Sequence, residues 1–320
     1  MAAARRLATA IGLAILSPAA MAQTPFDEFR RELRTLRLGN TLQALSVFGG
    51  TPGIGAANYS ADGLDISTYK LPVAHGFAPF GHPYLNRIAP YVELTLGYLG
   101  ARAGGTITLD PLPATALRTD FRTYTALAGG GFELLLTEEV RVRPILLLGY
   151  SRVEADTRFG GPLAGTLESL TGGILGRIRS DNAMIGGALE IAYDHRFAGD
   201  LRLRGKLRYN QIHASAYSAS DGVFKSDGTF GAGTLRLELN GPTGRQMFGR
   251  ELRWLGYTGG TVFTGPRRSA LGFGEFAEFG GGLELVDRNV VRGVEGVALR
   301  GSGIVGNGVT GWSVGLSLAF

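Results

Sequence analysis

The sequence predicts an all-β protein: a transmembrane antiparallel up-and-down β-barrel of about twelve strands, with a short N-terminal amphipathic helix. Three observations predict it. The chain closes on GWSVGLSLAF, where Trp312, Val314, Leu316, Leu318 and Phe320 share one parity and Gly311, Ser313, Gly315, Ser317 and Ala319 the other. Successive strand side chains point to opposite faces, so this strand has one oily face and one small, mildly polar face. The same alternation recurs along the chain, with charged residues on the second parity. The links between these segments tend to alternate between short and long.

The first residues read as an export signal. Arg5 and Arg6 form a basic start, Leu7 to Leu16 a short apolar core, and Ala20-Met21-Ala22 a small-x-small cleavage site, which sets residues 1–22 apart as a signal peptide. That core is too short for a retained membrane helix, and no later stretch approaches the ~18 apolar residues a helical span needs. There are no cysteines, so neither disulfides nor a thiolate metal site can hold the fold. A closed ladder of backbone hydrogen bonds can. Glycine supplies 51 of 320 residues, well above the usual share, and falls in the alternating segments and turns, as in tightly curved sheets. The formal charge of +5 is too small to argue for a nucleic-acid partner. An exported, cysteine-free, β-rich chain with no membrane helix fits a bacterial outer-membrane protein, with membrane lipids as its surroundings.

Residues 23–40 predict the helix. Phe26, Phe29, Leu33 and Leu36 recur at helical spacing, Arg30, Arg31, Arg34 and Arg37 occupy other faces, and Gly39-Asn40 ends the run. Such a helix can pack on the barrel rim, plug the lumen or lie on the membrane surface. Residues 41–320 form the expected barrel, with strands near 41–48, 62–71, 87–99, 120–136, 140–153, 184–197, 201–216, 228–240, 250–264, 271–286, 290–304 and 309–320. The links at 137–139, 198–200 and 287–289 are tight turns. Those at 72–86 and 241–249 are longer but fall on the same side, and the links 49–61, 100–119, 154–183, 217–227 and 265–270 fall on the other. Short turns at one end and longer loops at the other are a habit of bacterial barrels, and an even strand number returns both barrel ends to one side.

Parity assigns the two faces. Leu203, Leu207 and Tyr209 alternate with Arg202, Arg204, Lys206 and Arg208. Val140, Val142, Leu146 and Leu148 alternate with Arg141 and Arg143. Ile185, Leu189, Ile191 and Tyr193 oppose Glu190, Asp194 and Arg196, and Leu235, Leu237 and Leu239 oppose Arg236 and Glu238. In a barrel the oily parity meets hydrocarbon and the charged parity lines the lumen. The expected lumen residues are therefore Glu93, Glu133, Arg141, Arg143, Glu190, Asp194, Arg202, Arg204, Arg208, Arg236, Glu238, Glu278 and Glu284. They either fill a narrow interior as a hydrogen-bonded network or line a small pore whose arginines favour anions. Leu255 and Phe276 interrupt the pattern by pointing inward.

The terminal GWSVGLSLAF resembles the last strand of bacterial outer-membrane barrels. The resemblance implies that Phe320, with Trp312 in the same strand, forms part of the signal read by the barrel-assembly machinery. Twelve strands behind one helix are similar to the translocator domain of autotransporters, and most similar to solitary, passenger-free autotransporter-like barrels. This resemblance covers residues 24–320 and rests on length, strand number, helix and terminus. Fewer than twenty residues separate Gln23 from the first expected strand, which leaves no passenger. The implied role is structural, surface-binding or that of a narrow pore, with a small-solute diffusion channel as the alternative.

The search for chemistry returns little. His75 and His82 flank AHGFAPFGHP without a third ligand nearby, so no metal site is assigned. His213-Ala214-Ser215 puts a histidine and a serine on the lipid-facing parity. This resembles the outward His-x-Ser of outer-membrane phospholipases, where the histidine is the general base for the hydroxyl. The third, orienting group is missing: the next strand offers Thr229, Gly231 and Gly233, not an asparagine stretch. The chain is not expected to be an enzyme, with a His213/Ser215 lipid hydrolase as the minor alternative. The Gly129-Gly130-Gly131 and Gly280-Gly281-Gly282 runs lack the lysine of a phosphate loop and fit close strand packing or room for a lumen side chain. No cofactor is called for, and the sequence does not fix an oligomeric state.

Overall fold

The computed structural model describes residues 38–50, 55–61, 64–82, 84–109, 112–162, 164–170, 176–265, 271–291 and 294–319. The expected signal peptide, nearly all of the 23–40 helix, and Phe320 lie outside them. Twelve strands close into one antiparallel barrel, each paired with its sequence neighbours and β1 with β12. They are β1 Ala56–Ala61, β2 Leu64–Gly76, β3 Ile88–Leu109, β4 Leu112–Leu135, β5 Val140–Gly160, β6 Arg177–Arg196, β7 Arg202–Ala219, β8 Asp227–Met247, β9 Arg250–Thr264, β10 Glu275–Val291, β11 Val294–Gly306 and β12 Val309–Ala319. The seam runs from Ala56 opposite Val314 to Ala61 opposite Val309. Closure leaves no sheet edge, so every wall strand has partners on both sides.

The apolar parity faces outward and the charged parity inward. Leu146, Leu207 and Leu316 are 59%, 50% and 73% exposed, whereas Glu190 and Arg208 are 1% and 4% exposed. A protein dissolved in water places these groups the other way round. Among the described residues no helix is long and apolar enough to cross a membrane. Every strand except the six-residue β1 has the length to do so, since about 9–11 tilted residues suffice.

The first expected strand is a helix. Residues 41–48 lie in α1, Leu38–Gly50, and the first wall strand is β1 at 56–61, inside what was expected to be a loop. The physical reason is the surroundings of α1. It sits inside the barrel, and every residue from Leu42 to Gly50 is buried. A helix enclosed on all sides needs no polar face, so its sequence loses the one-sided period that marks a surface helix. Its stretch Thr41 to Phe48, with five apolar residues among eight, then reads equally well as a strand.

The connections also differ. The Ala319 end of β12 lies at what we term the near end, together with links 77–87, 136–139, 197–201, 248–249 and 292–293. The far end carries 62–63, 110–111, 161–176, 220–226, 265–274 and 307–308. The expected long link 100–119 is a hairpin instead: β3 and β4 run for 22 and 24 residues and stay in register from Ile88 opposite Leu134 to Ile107 opposite Thr115. Thr106, Ile107 and Thr115 are β-branched and suit an extended ladder despite Gly104 and Gly105 before them and Pro111 and Pro113 between them. The expected link 241–249 shortens in the same way, because β8 continues to Met247 past an irregularity between Pro242 and Arg245. Link 161–176 carries a short helix α2, Ala164–Leu170. Walls β3 to β6 consequently project furthest at the far end.

Candidate functional site

The lumen holds two layers. The outer one is apolar and built around α1. Leu45 and Phe48 pack in a buried cluster with Leu99, Leu127, Leu147, Met184, Ile212 and Phe230 from the wall. Phe48 meets the rings of Tyr59, Phe263 and Phe273 edge-on at centroid distances of 5.5, 5.7 and 6.2 Å. Lys70 Nζ lies 4.7 Å from the Phe48 ring and donates to the Phe48 carbonyl oxygen at 2.7 Å. At its other end the helix is pinned near the far mouth, where Gln43 Nε2 donates to the carbonyl oxygens of Ala214, at 3.1 Å, and Ser226. Between these points Thr125 Oγ1 donates to Ser46 O at 3.2 Å. The closest approach is at Gly97, where an added Cβ would collide with the Gly49 carbonyl oxygen. Only glycine admits the helix backbone that close to the wall.

The inner layer, toward the near end, is charged. Arg143 Nη1 meets Glu190 Oε1 at 2.6 Å, and its other side engages Glu133. Arg208 on β7 holds Glu93 on β3 through two bonds of 2.5 and 2.8 Å, and also Glu190 at 3.3 Å. Strands β3 and β7 are not neighbours, so this bidentate pair is a strut across the lumen. Tyr91 and Asn210 complete it, by donating to Glu93 Oε2 at 3.0 Å and accepting from Arg208 Nε at 2.7 Å. A second cluster surrounds Glu238: Arg300 at 2.9 Å, Arg204 at 3.4 Å and Arg236 at 3.7 Å. Arg204 also reaches Glu284 at 3.9 Å. Arg202 pairs with Asp194, which Arg141 approaches to 3.8 Å, and Ser302 Oγ donates to Glu278 Oε1 at 2.6 Å. Buried charges persist only when paired, as these are, although Arg204 Nε, Arg236 Nη2 and Arg300 Nε are buried without a hydrogen bond.

Each of the thirteen residues expected from parity takes part in one of these contacts. Lys70, Tyr91, Asn210, Asn240, Arg253 and Arg300 join them in these contacts and were not expected from parity. The inward parity of Arg253 with Leu255, and of Arg300 with Ser302, was the available signal, obscured by the slack alternation of β9 to β11. Gly129 has the expected reason for being small, since an added Cβ would meet the Glu93 side chain at 2.6 Å.

On the outside, Tyr69, Tyr98 and Tyr124 form a row across β2, β3 and β4, with ring centroids 6.2 and 5.3 Å apart. Tyr150 continues it on β5 and donates to Asp181 Oδ1 at 2.5 Å. Trp312 is exposed on β12. His213 and Ser215 are also exposed on the outer face of β7. His213 Nδ1 lies 3.2 Å from Thr229 Oγ1, and no described hydrogen bond joins His213 to Ser215. His75 and His82 stand against the rings of Phe77 and Tyr84. Among the described residues no three metal-ligating side chains converge.

No family model matches this chain, and no curated protein matches it significantly. Solved structures of similar fold do exist. The β domain of the Bordetella autotransporter BrkA is 13% identical, covers 83% of this chain and 96% of its own, and has a TM-score of 0.46. The transport unit of the Escherichia coli autotransporter AIDA-I is 9% identical over 90% of this chain and 99% of its own, with a TM-score of 0.49. The CymD monoaromatic hydrocarbon channel is 10% identical over 83% of this chain and 77% of its own, with a TM-score of 0.44. The likeness is one of fold, and the barrel assignment stands on the ladder registers given above.

Proposed function

We propose that this chain is an integral outer-membrane barrel whose lumen is closed by its own helix, with a structural or surface-binding role rather than that of an open pore. One observation carries the reading: oily side chains cover the outside while ion-paired charges and a helix buried from Leu42 to Gly50 occupy the inside. Exposed leucines on every side of a closed wall are stable only against hydrocarbon. The near end, with its mostly short turns, faces the periplasm in this reading, and the far end faces out. The last strand, through Trp312 and Phe320, is the contact for the assembly machinery.

The test is fractionation followed by electrophysiology. The barrel should sediment with outer membranes, migrate differently before and after boiling, and give a flat trace in planar bilayers. Recovery as a folded monomer in detergent-free buffer would sink the membrane reading, and steady wild-type conductance would replace the closed barrel by the channel alternative. We assign no hydrolase role to His213 and Ser215. Lipid turnover that is present in wild type and absent in Ser215→Ala would overturn that assignment.

A further inference from the structure

Beyond the tyrosine row, the outer face of β3 to β6 changes character. It carries three carboxylates, each bracketed by two arginines. Asp120 lies between Arg102 and Arg118 at 3.5 and 3.7 Å. Asp156 lies between Arg122 and Arg177 at 2.8 and 3.9 Å. Asp181 lies between Arg152 and Arg179 at 2.8 and 3.4 Å. Glu154 and Arg158 add one charge of each sign. Six guanidinium groups over three aspartates leave an excess of positive charge, and it is on the surface: the side chains of Arg118, Arg177 and Arg179 are 61%, 89% and 50% exposed.

Three features set this patch apart from an ordinary solvated face. Each aspartate stands beside two guanidinium groups and can neutralise only one, which leaves every triad with a net positive charge. The patch is confined to one sector, because among the described residues β7 to β12 put no arginine on the outer face beyond the tyrosines. Its height is set by the chain itself. Arg102 is four residues past Tyr98, Arg122 two residues before Tyr124, and Arg152 two residues past Tyr150. At about 3.3 Å per residue, the first arginines stand roughly 7–13 Å along the strand from the rings. Tyrosines of a barrel mark the edge of the hydrocarbon, and the layer just beyond it holds lipid headgroups.

We propose that this arginine ladder is a binding site for phosphomonoester-bearing lipid headgroups in the leaflet at the far end, with the acyl chains lying on the apolar wall below. Guanidinium groups recognise phosphate through paired N–H donors, and a phosphate inserted between two triads would compensate the excess charge. The proposal rests on the membrane reading above and adds a lipid preference to it.

The test uses the full barrel reconstituted in phosphatidylcholine vesicles containing about 10% phosphatidic acid, with lipids retained after gentle extraction counted by native mass spectrometry. Wild type should retain phosphatidic acid at least about tenfold above its share of the bilayer, and less as salt rises. The combined variant Arg118→Gln, Arg177→Gln and Arg179→Gln leaves one arginine on each aspartate and removes the excess charge; it should lose the enrichment. A charge-matched control, Arg87→Gln, Arg245→Gln and Arg250→Gln at the near end, should keep it. Boiling-dependent mobility verifies that both variants are folded. Equal enrichment in the two variants overturns the proposal, as does suppression by millimolar inorganic phosphate, which would mark a small-anion site. Insertion of wild type with no phosphatidic acid preference overturns the lipid site alone, and failure to insert overturns the membrane reading with it.

Discussion

Phe48 is the side chain on which the closed lumen most depends. Its ring is buried among Tyr59, Phe263 and Phe273 and beneath the Lys70 ammonium. Truncating a buried phenylalanine costs about 3–5 kcal/mol. Loss of the cation over the ring falls within that range, because Lys70 keeps its bond to the backbone oxygen of residue 48. The barrel wall closes through β1 and β12 without the helix, so Phe48→Ala should weaken the seat of α1 more than the wall. A loss of about 4 kcal/mol raises the unseated fraction roughly a thousandfold. Two measurements read it. Amide exchange at residues 42–50 should accelerate by that order while the β3–β6 ladder stays protected, and planar bilayers should show brief openings that are absent from wild type. The reasoning is refuted if helix and wall amides accelerate together, since α1 would then be a part of the barrel core and not a separable plug.

Three further outcomes are expected. Gly97→Ala should unseat the helix by collision with the Gly49 carbonyl, at a cost of about 1–3 kcal/mol, whereas Gly104→Ala, with nothing within 4 Å, should leave exchange at residues 42–50 unchanged. Glu93→Gln should destabilise the barrel by roughly 3–5 kcal/mol in detergent unfolding, because it leaves Arg208 short of its bidentate partner, and Arg208→Met in the same chain should restore much of the loss. Openings of the Phe48→Ala barrel should be anion-selective in reversal-potential measurements. Around Glu190 and Glu133, which are at 1% and 11% exposure, the solvent-facing lumen side chains are cationic, Lys206 at 53% and Arg141 at 32%; cation selectivity would contradict that reading.

The sequence by itself determined the wall. A period of two is a local property, fixed by the alternation of side chains along an extended backbone, so strands such as β5, β7 and β8 and the inward direction of Arg143, Arg208 and Glu238 could be read residue by residue. What it left undetermined depends on neighbours distant in the chain. Thr41 to Phe48 is a helix only because twelve strands surround it, and an all-round apolar environment erases the asymmetry by which a helix is recognised. Residues 100–119 extend as β3 and β4 because each supplies the other's hydrogen bonds, which the glycines of the first half and the prolines at 111 and 113 conceal. The strut from Glu93 to Arg208 and the arginine triads across β3 to β6 are likewise products of register and closure. Parity tells which way a side chain points; only the closed barrel decides what it meets there.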